Sequence, residues 1–545
     1  MIPNFLFVSA ENDALANCKA GGMGDVVRDV PIHIALNSHS VSTVVPSYGR
    51  LHKTAQFLEK FTVSFRGTSY LMELYKGTPK EPNTRVSHYV LHHADLTEGN
   101  IAHIYQHDEN EPFYTDANKF SLFCVSVAQL IQQGFFGKLD VIHLHDWHTA
   151  LLLFLKEFHP AYAKLKESRF AYTIHNLAIQ GIRPLEGNYS SLQAWFPEVS
   201  FDPEWVQDPR YRDCVNLMGL GIRYADAVHT VSPSYKQDIL LPSEQPYFIG
   251  GEGLEALLQK ADREDRLFGI LNGIDYTHLN YDEKPNFYEH SLKAIYGWLS
   301  EEGKKYKADF LIHTGKKLSG YLLEKPKFLM ASVARLTEQK FYFFKQYPAI
   351  FDQLLAALAK ANGVYVLLGT GDPAYETFFR EASYAHNNFV FINGQSEAVV
   401  KSIYAAAHLY LMPSLFEPCG ICQMLAMRNG NPCLVHNTGG LKDTVGHGIN
   451  GFTFDGKTSY QKAINLVKTL QEAIDMYFNQ PEEWQEIKEN AKSSRFGWES
   501  SVNDYYRLLY HIPVACAIDH TNSGSHPVKA THFNKKEALT HLALK

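Results

Sequence analysis

The stretch from Leu409 to Val445, LYLMPSLFEPCGICQMLAMRNGNPCLVHNTGGLKDTV, constrains the fold more than any other part of the chain. Leu409-Tyr410-Leu411-Met412 is a short apolar run stopped by Pro413, which predicts a buried strand in a parallel sheet. A loop through Phe416-Glu417-Pro418-Cys419-Gly420 leads to good helix formers from Ile421 to Met427. The order then repeats: Pro432-Cys433-Leu434-Val435 predicts a second strand, and Thr438-Gly439-Gly440 turns the chain into a helix beginning near Leu441. Two helix N-termini therefore open on one sheet edge. In an open parallel sheet that edge binds ligands, and helix N-termini offer unpaired N–H groups and about half a positive charge to an anion. Glycine at 420, 439 and 440 lets backbone approach a ligand with no Cβ in the way, and Glu417 adds a carboxylate suited to sugar hydroxyls. Each feature alone is equally a helix-capping acid or a tight turn. Two strand–helix units in series favour a site for a phosphate joined to a sugar.

At 545 residues the chain predicts two or three domains, and 45% hydrophobic residues suffice for sizeable cores. A formal net charge of −7 argues against a nucleic-acid or polybasic membrane role. No window approaches the roughly 18 apolar residues that span a bilayer, and Met1 to Val8 reads as a first strand, lacking the basic flank of a signal peptide. The seven Cys are read as scattered, without a CxxC or a paired framework, so a reduced, cytoplasmic compartment is the expectation.

Taken in order, a strand from Phe5 to Ser9 precedes the loop Lys19-Ala20-Gly21-Gly22-Met23-Gly24-Asp25, then a helix towards Asn37 and a strand near Val41 to Pro46. The loop departs from GxGxxG, yet Lys19 can set an ammonium at a phosphate held on glycine backbone. Tyr114 to Phe120 is read as a segment facing a helix from Ser121 to Gln132. Val141-Ile142-His143-Leu144-His145-Asp146-Trp147-His148 is a strand ending in a polar knot. Its histidines are either metal ligands with Asp146 or hydrogen-bonding residues that hold loops. Tyr172-Thr173-Ile174-His175-Asn176 is another strand ending in His. Asn272-Gly273 is a turn signal where we place an inter-domain hinge, and 276–326 reads as a helical connector. Phe328 to Val333 restarts the α/β alternation. At its end Arg335, as a planar fork, and Lys340, as a point charge, can both reach a diphosphate. After Asn450-Gly451-Phe452 the chain is predicted helical to about Tyr510, and 513–545 is a polar, His-containing tail with no assigned role.

These segments together resemble the bacterial glycogen synthase and plant starch synthase family, glucosyltransferases that use a nucleotide-glucose. FEPCGICQMLAMRNGNPCLVHNTGGLKDTV is similar to its donor-site signature, KAGGMGDV to its KxGGLADV loop, HDWH to its strand-end motif, TIHNLAIQG to TIHNLAYQG and RLTEQK to RLTxQKG. The run Trp498 to Tyr510 resembles its terminal crossover helix. The resemblance covers most of 1–275 and 327–510. It implies the α/β GT-B fold, two doubly wound Rossmann-like domains facing across a cleft. Residues 1–273 would be the acceptor side, 274–496 the nucleotide-sugar side, and 497–512 a helix crossing back. The implied reaction moves glucose from ADP-glucose to the non-reducing 4-OH of an α-1,4-glucan with retention, without metal or other cofactor. Neither nucleic acid nor membrane is expected as a partner. By the same resemblance Lys19, Arg335, Lys340 and the helix starts at Gly420 and Gly440 stabilise the diphosphate. Glu417, Cys419 and Gly420 hold sugar hydroxyls, and His175 contacts the transferred glucose. Asp25 and Asp146 lie towards the acceptor, and Gly22, Asn176, Thr438 and Gly439 complete the substrate set.

Four departures stand against the family pattern: Lys119 for Arg, Gly219 for Lys, Phe341 for Gly and His436 for Arg. They motivate an alternative, a glucan-binding paralogue with weakened catalysis. A metal hydrolase built on the histidine knot is the third reading. Phe341 is expected to pack at the domain surface or against 276–326.

Overall fold

A computed structural model of the protein describes residues 2–82, 85–97, 103–245, 248–276, 286–300 and 308–513. The expected tail beyond residue 513 lies outside them. In chain order the first strands are β1 (Asn4–Val8), β2 (Ser40–Pro46), β3 (Gln56–Phe65), β4 (Thr68–Lys76), β5 (Val86–His92), β6 (Val141–His145) and β7 (Arg169–Ile174). A small antiparallel ribbon of β8 (Ile182–Pro184) and β9 (Cys214–Asn216) follows, then β10 (Ala227–Thr230) and β11 (Leu267–Gly269). The first sheet runs β11-β10-β7-β6-β1-β2-β5-β4-β3, parallel from β11 to β5 and antiparallel beyond. The second sheet holds β12 (Phe328–Val333), β13 (Gly363–Leu368), β14 (Phe389–Ile392), β15 (Leu409–Met412), β16 (Cys433–His436) and β17 (Gly451–Phe454). Its order is β14-β13-β12-β15-β16-β17, all parallel.

Both sheets are doubly wound. The direction of winding reverses between β1 and β6 in the first and between β12 and β15 in the second. Helices cover both faces, so the strands are continuous apolar runs: β13 and β15 are buried at every position. The expected strands at 409–412 and 433–435 and the helices after them, Cys422–Arg428 and Gly439–Thr444, are present.

The chain crosses between the units twice, at adjacent places. Ile274 N–H donates to the Phe496 carbonyl at 2.7 Å, and the Ser501 hydroxyl to the Leu271 carbonyl at 2.6 Å. A Cβ at Gly273 would lie 2.8 Å from the Trp498 indole, so glycine lets the two crossings touch. Helix Trp498–Asp504 and the wide turn Tyr505–Tyr510 pack on the first sheet against Phe5 and Phe7.

Four expectations need correction. Tyr114 to Phe120 is the first part of one helix, Tyr114–Gln133; no breaker separates the two segments, and an i,i+3 pair between Asp116 and Lys119 at 2.6 Å braces the start. Gly451 and Phe452 belong to β17, since an exposed edge at β16 is left for a parallel partner. Residues 276–326 are helical where described, Phe287–Ser300 and Ala308–Leu323, but they are a packing layer. Ile295, Trp298 and Leu318 close over Leu329, Val364 and Val390 of the second sheet. Phe341 is not at the surface, and it shares its core cluster with Phe310 of that segment. It is 1% exposed, packed on Phe344 and Phe379 in the core beneath the other face, at a helix kink with φ −133°.

Emptying that position removes a buried aromatic ring, which costs about 3–5 kcal/mol before any backbone penalty. Phe341→Gly is therefore expected to lower the urea unfolding midpoint of the second unit without raising activity. A tenfold gain in activity would show that the phenyl ring obstructs the site.

Candidate active site

Both reversal points open onto one cleft of about 1750 Å3 between the sheets. Its walls are the segments that follow parallel strands. Lys19, Gly22 and Asp25 come after β1, Asp146 after β6, His175 and Asn176 after β7, Arg335 and Lys340 after β12, and Glu417, Cys419 and Gly420 after β15.

The loop after β1 is shaped by Glu11, a buried residue that sequence reasoning does not single out. Its carboxylate accepts the Ala20 and Gly21 N–H groups and the Tyr105 hydroxyl, each at 2.6 Å. The one available signal is an acid two residues beyond a strand end. Lys19 and Asp25, expected at opposite substrates, are joined in one ion pair at 2.6 Å, with Asp13 at 3.4 Å. Burial works against charge on Lys19, but Asp25 and Asp13 outweigh it and raise its pKa, so it stays cationic. Arg28 and Lys80 both reach Asp13, at 2.5 Å.

Across the cleft, a Cβ at Gly21 would lie 4.0 Å from a guanidinium nitrogen of Arg335, and one at Gly22 3.5 Å from Ile421. The glycine loop of one unit thus meets side chains of the other. Among the described residues the Arg335 guanidinium has no hydrogen-bond or ion-pair partner. Lys340 pairs with the Glu417 carboxylate, which also accepts the Ser414 hydroxyl at 2.9 Å. Gly420 has φ 76°, the left-handed region that favours glycine, and the Gln423 amide holds the Cys419 and Gly420 carbonyls at 3.1 and 2.8 Å.

Thr438, Gly439 and Gly440 are not among the residues that line the cleft, and protein groups hold the Gly439 and Gly440 backbone. Gly439 N–H donates to the Asp238 carboxylate at 3.1 Å and Gly440 N–H to the Glu417 carbonyl at 3.0 Å. A Cβ at Gly439 would lie 1.9 Å from the Glu417 oxygen, and one at Gly440 2.5 Å from the Cys419 Cα. Glycine is required there to let backbone lie against backbone.

His145 Nδ1 lies 3.0 Å from His175 Nε2, and His143 bridges the Tyr510 hydroxyl at 2.9 Å and the Thr173 hydroxyl at 2.7 Å. Burial drives all of these imidazoles down, His175 to about 3. They are neutral at neutral pH and act as hydrogen-bonding groups. Among the described residues no three His, Cys, Asp or Glu side chains are arranged to hold a metal ion, so the knot lacks the geometry of a metal centre. Cys419 and Cys422 have CxxC spacing, which corrects the reading of cysteines scattered without one; burial pushes the Cys419 thiol up to about 12, leaving it neutral. Lys119, Gly219 and His436 stand away from the cleft lining. His436 Nδ1 bonds the Ser414 carbonyl at 2.8 Å and so braces the residue that supports Glu417.

Asp146 sits at φ 55°, a costly conformation that persists only where the surroundings over-determine it. Its carboxylate does so by accepting His175 N–H at 2.7 Å. Burial raises its pKa to about 8. Between an unfolded value near 4 and that folded value, the native state keeps a proton that the unfolded chain has released. Stability therefore falls as pH rises through this window. Asp146→Asn, which does not titrate, should gain in unfolding midpoint over the parent protein between pH 5 and pH 8.5. An equal difference at both pH values would mean that the carboxyl titrates normally.

Residues 4–260 match the family model for the starch synthase catalytic domain, and residues 319–494 that for glycosyl transferases group 1. The chain is 32% identical over 525 residues to the glycogen synthase of Natranaerobius thermophilus, covering 93% of this chain and 96% of the relative. It is 32% identical over 512 residues to that of Desulfitobacterium hafniense, covering 90% and 97%. The fold matches the catalytic domain of starch synthase IV from Arabidopsis thaliana with a TM-score of 0.73 and 24% identity, over 94% of this chain and 99% of that one. Sucrose-phosphate synthase from Thermosynechococcus elongatus matches at 0.52 and 15% identity, over 93% and 99%. With two doubly wound units facing across one cleft, and relatives this similar along nearly their whole length, the chain belongs to the glycogen synthase family of GT-B glycosyltransferases.

Proposed function

We infer that the protein is a retaining glucosyltransferase that takes glucose from a nucleotide-sugar donor, ADP-glucose, and adds it to the non-reducing end of an α-1,4-glucan. One observation carries this reading: both winding reversals open on the same cleft and surround it with Lys19, Arg335, Lys340 and Glu417. In the reaction the bond from the anomeric carbon to the diphosphate oxygen breaks. The acceptor 4-OH forms the new C–O bond on the same face, and its proton passes to the departing phosphate oxygen. No protein base is required.

Negative charge builds on the diphosphate as that bond stretches, so preorganised cations are the largest source of rate. Arg335, without a hydrogen-bond or ion-pair partner among the described residues, is the group with most to offer a diphosphate. Lys340 lies between that anion and Glu417, whose carboxylate opposes positive charge developing on the sugar. Neutral His175 donates or accepts a hydrogen bond at the transferred glucose, and Asp146 fixes its backbone. ADP in the solved starch synthase IV domain, which is bound to ADP and acarbose, supports an adenine donor. We also place the domain boundaries at 273/274 and 496/497, supported by the adjacent chain crossings. The weakened-paralogue reading gains nothing from the departures, since Lys119, Phe341 and His436 each have local partners or a packed site.

Labelled ADP-glucose incubated with glycogen should place label in polymer, equally with and without a chelator. A higher kcat/KM with UDP-glucose would overturn the donor assignment. Lys340→Ala should lower kcat roughly a hundred- to thousandfold, and Glu417→Gln should slow turnover while leaving the unfolding midpoint in place. An effect of Lys340→Ala on KM alone would make the lysine a ground-state binding group.

A further inference from the structure

Two short helices, Pro233–Ile239 after β10 and Gly439–Thr444 after β16, lie side by side in opposite directions where the two units meet. Each carries an aspartate in its last turn, Asp238 and Asp443. An acid there opposes its own helix dipole, which the lysine of each last turn, Lys236 paired with Asp262 and Lys442 facing Asp238, does not offset by pairing with the acid of its own helix. The contact between the units does. Asp443 accepts the Ser234 N–H at 2.9 Å and the Ser234 hydroxyl at 2.8 Å, in the first turn of the other helix. Asp238 accepts the Gly439 N–H at 3.1 Å, with the Lys442 ammonium at 3.9 Å and Lys462 also facing it. Each acid therefore caps the partner helix across the boundary.

The same pair of helices grips the loop that carries Glu417. Ser232, which caps its own helix by accepting Tyr235 N–H at 3.1 Å, donates its hydroxyl to the Pro418 carbonyl at 2.6 Å. Gly440 N–H bonds the Glu417 carbonyl, and the Gly439-Gly440 backbone presses on Glu417 and Cys419. The carbonyls on both sides of the Glu417–Pro418 bond are thus held by the latch helices, one from each unit.

We propose that Asp238, Asp443 and Ser232 form a reciprocal latch between the two units, and that they are positioning residues which seat the Glu417 loop when the units come together. When the units part, each helix loses the partner's aspartate at its first turn, Pro233–Ile239 keeping only its own Ser232 cap, and keeps an acid opposed to its dipole, so the two aspartates favour the joined state specifically. The assignment of a role in turnover rests on the function proposed above; the latch itself does not.

The test uses the full chain with a fluorophore pair placed across the cleft, read with and without ADP. It adds kcat and KM for ADP-glucose with glycogen, and the urea midpoint. Asp443→Ala should lengthen the mean distance between the units and lower kcat about tenfold, the size of losing one charge-assisted hydrogen bond, at an unchanged midpoint. Asp443→Asn, which keeps an acceptor oxygen, should recover part of both. Adding Asp238→Ala to Asp443→Ala should cost less than the product of the single losses. Unchanged distance and kcat in Asp443→Ala would overturn the proposal, as would a distance unchanged while the midpoint falls. If Asp443→Ala does not fold, Ser234→Ala decides in its place: a longer distance with lower kcat supports the latch, and parental values overturn it. A longer distance in a protein whose parent transfers no glucose would reject the proposed function and keep the latch.

Discussion

The crossover between parallel strands is right-handed, so a helix returning from one strand to the next can lie on only one face of the sheet. A sheet wound first one way and then the other must therefore leave a crevice where the direction reverses. This protein does so twice, at β1/β6 and at β12/β15. The remaining features depend on the two crevices facing each other. Loops after strand ends line the cleft there, and glycine backbone of one unit approaches a guanidinium of the other.

What fills the shared cleft is an uneven charge distribution. On the first unit the histidines are neutral because burial penalises their cations, and they spend their ring nitrogens on one another, on Thr173 and on Tyr510. On the second unit, among the described residues, Arg335 stands without a protein partner and Lys340 is balanced by a single carboxylate. A diphosphate completes that set, and a neutral sugar fits the wall of imidazoles and Asp146.

Glycine does two different jobs in the second unit. At 420 it supplies a left-handed backbone beside the substrate groups. At 439 and 440 it allows one helix start to lie on the backbone of Glu417 and Cys419, which ties the acid-bearing loop to the boundary between units. Position in the site and contact between units are thus one structural feature.

Strand and helix order was legible in the chain because buried parallel strands are uninterrupted apolar runs and breakers such as Pro413 mark their limits. The residues that end those strands were legible too: Lys19, Asp146, His175, Arg335, Lys340 and Glu417 all reach the cleft. The sequence could not assign partners. Lys19 with Asp25, Lys340 with Glu417 and Gly439 with Asp238 join residues 6, 77 and 201 positions apart. A motif shows which groups are present, not which of them satisfy one another. The same limit hid Glu11, the burial of Phe341 and the role of 276–326 as a packing layer. Local periodicity fixes what a segment becomes, whereas hydrogen-bond saturation and close packing are settled only when distant segments compete for the same space.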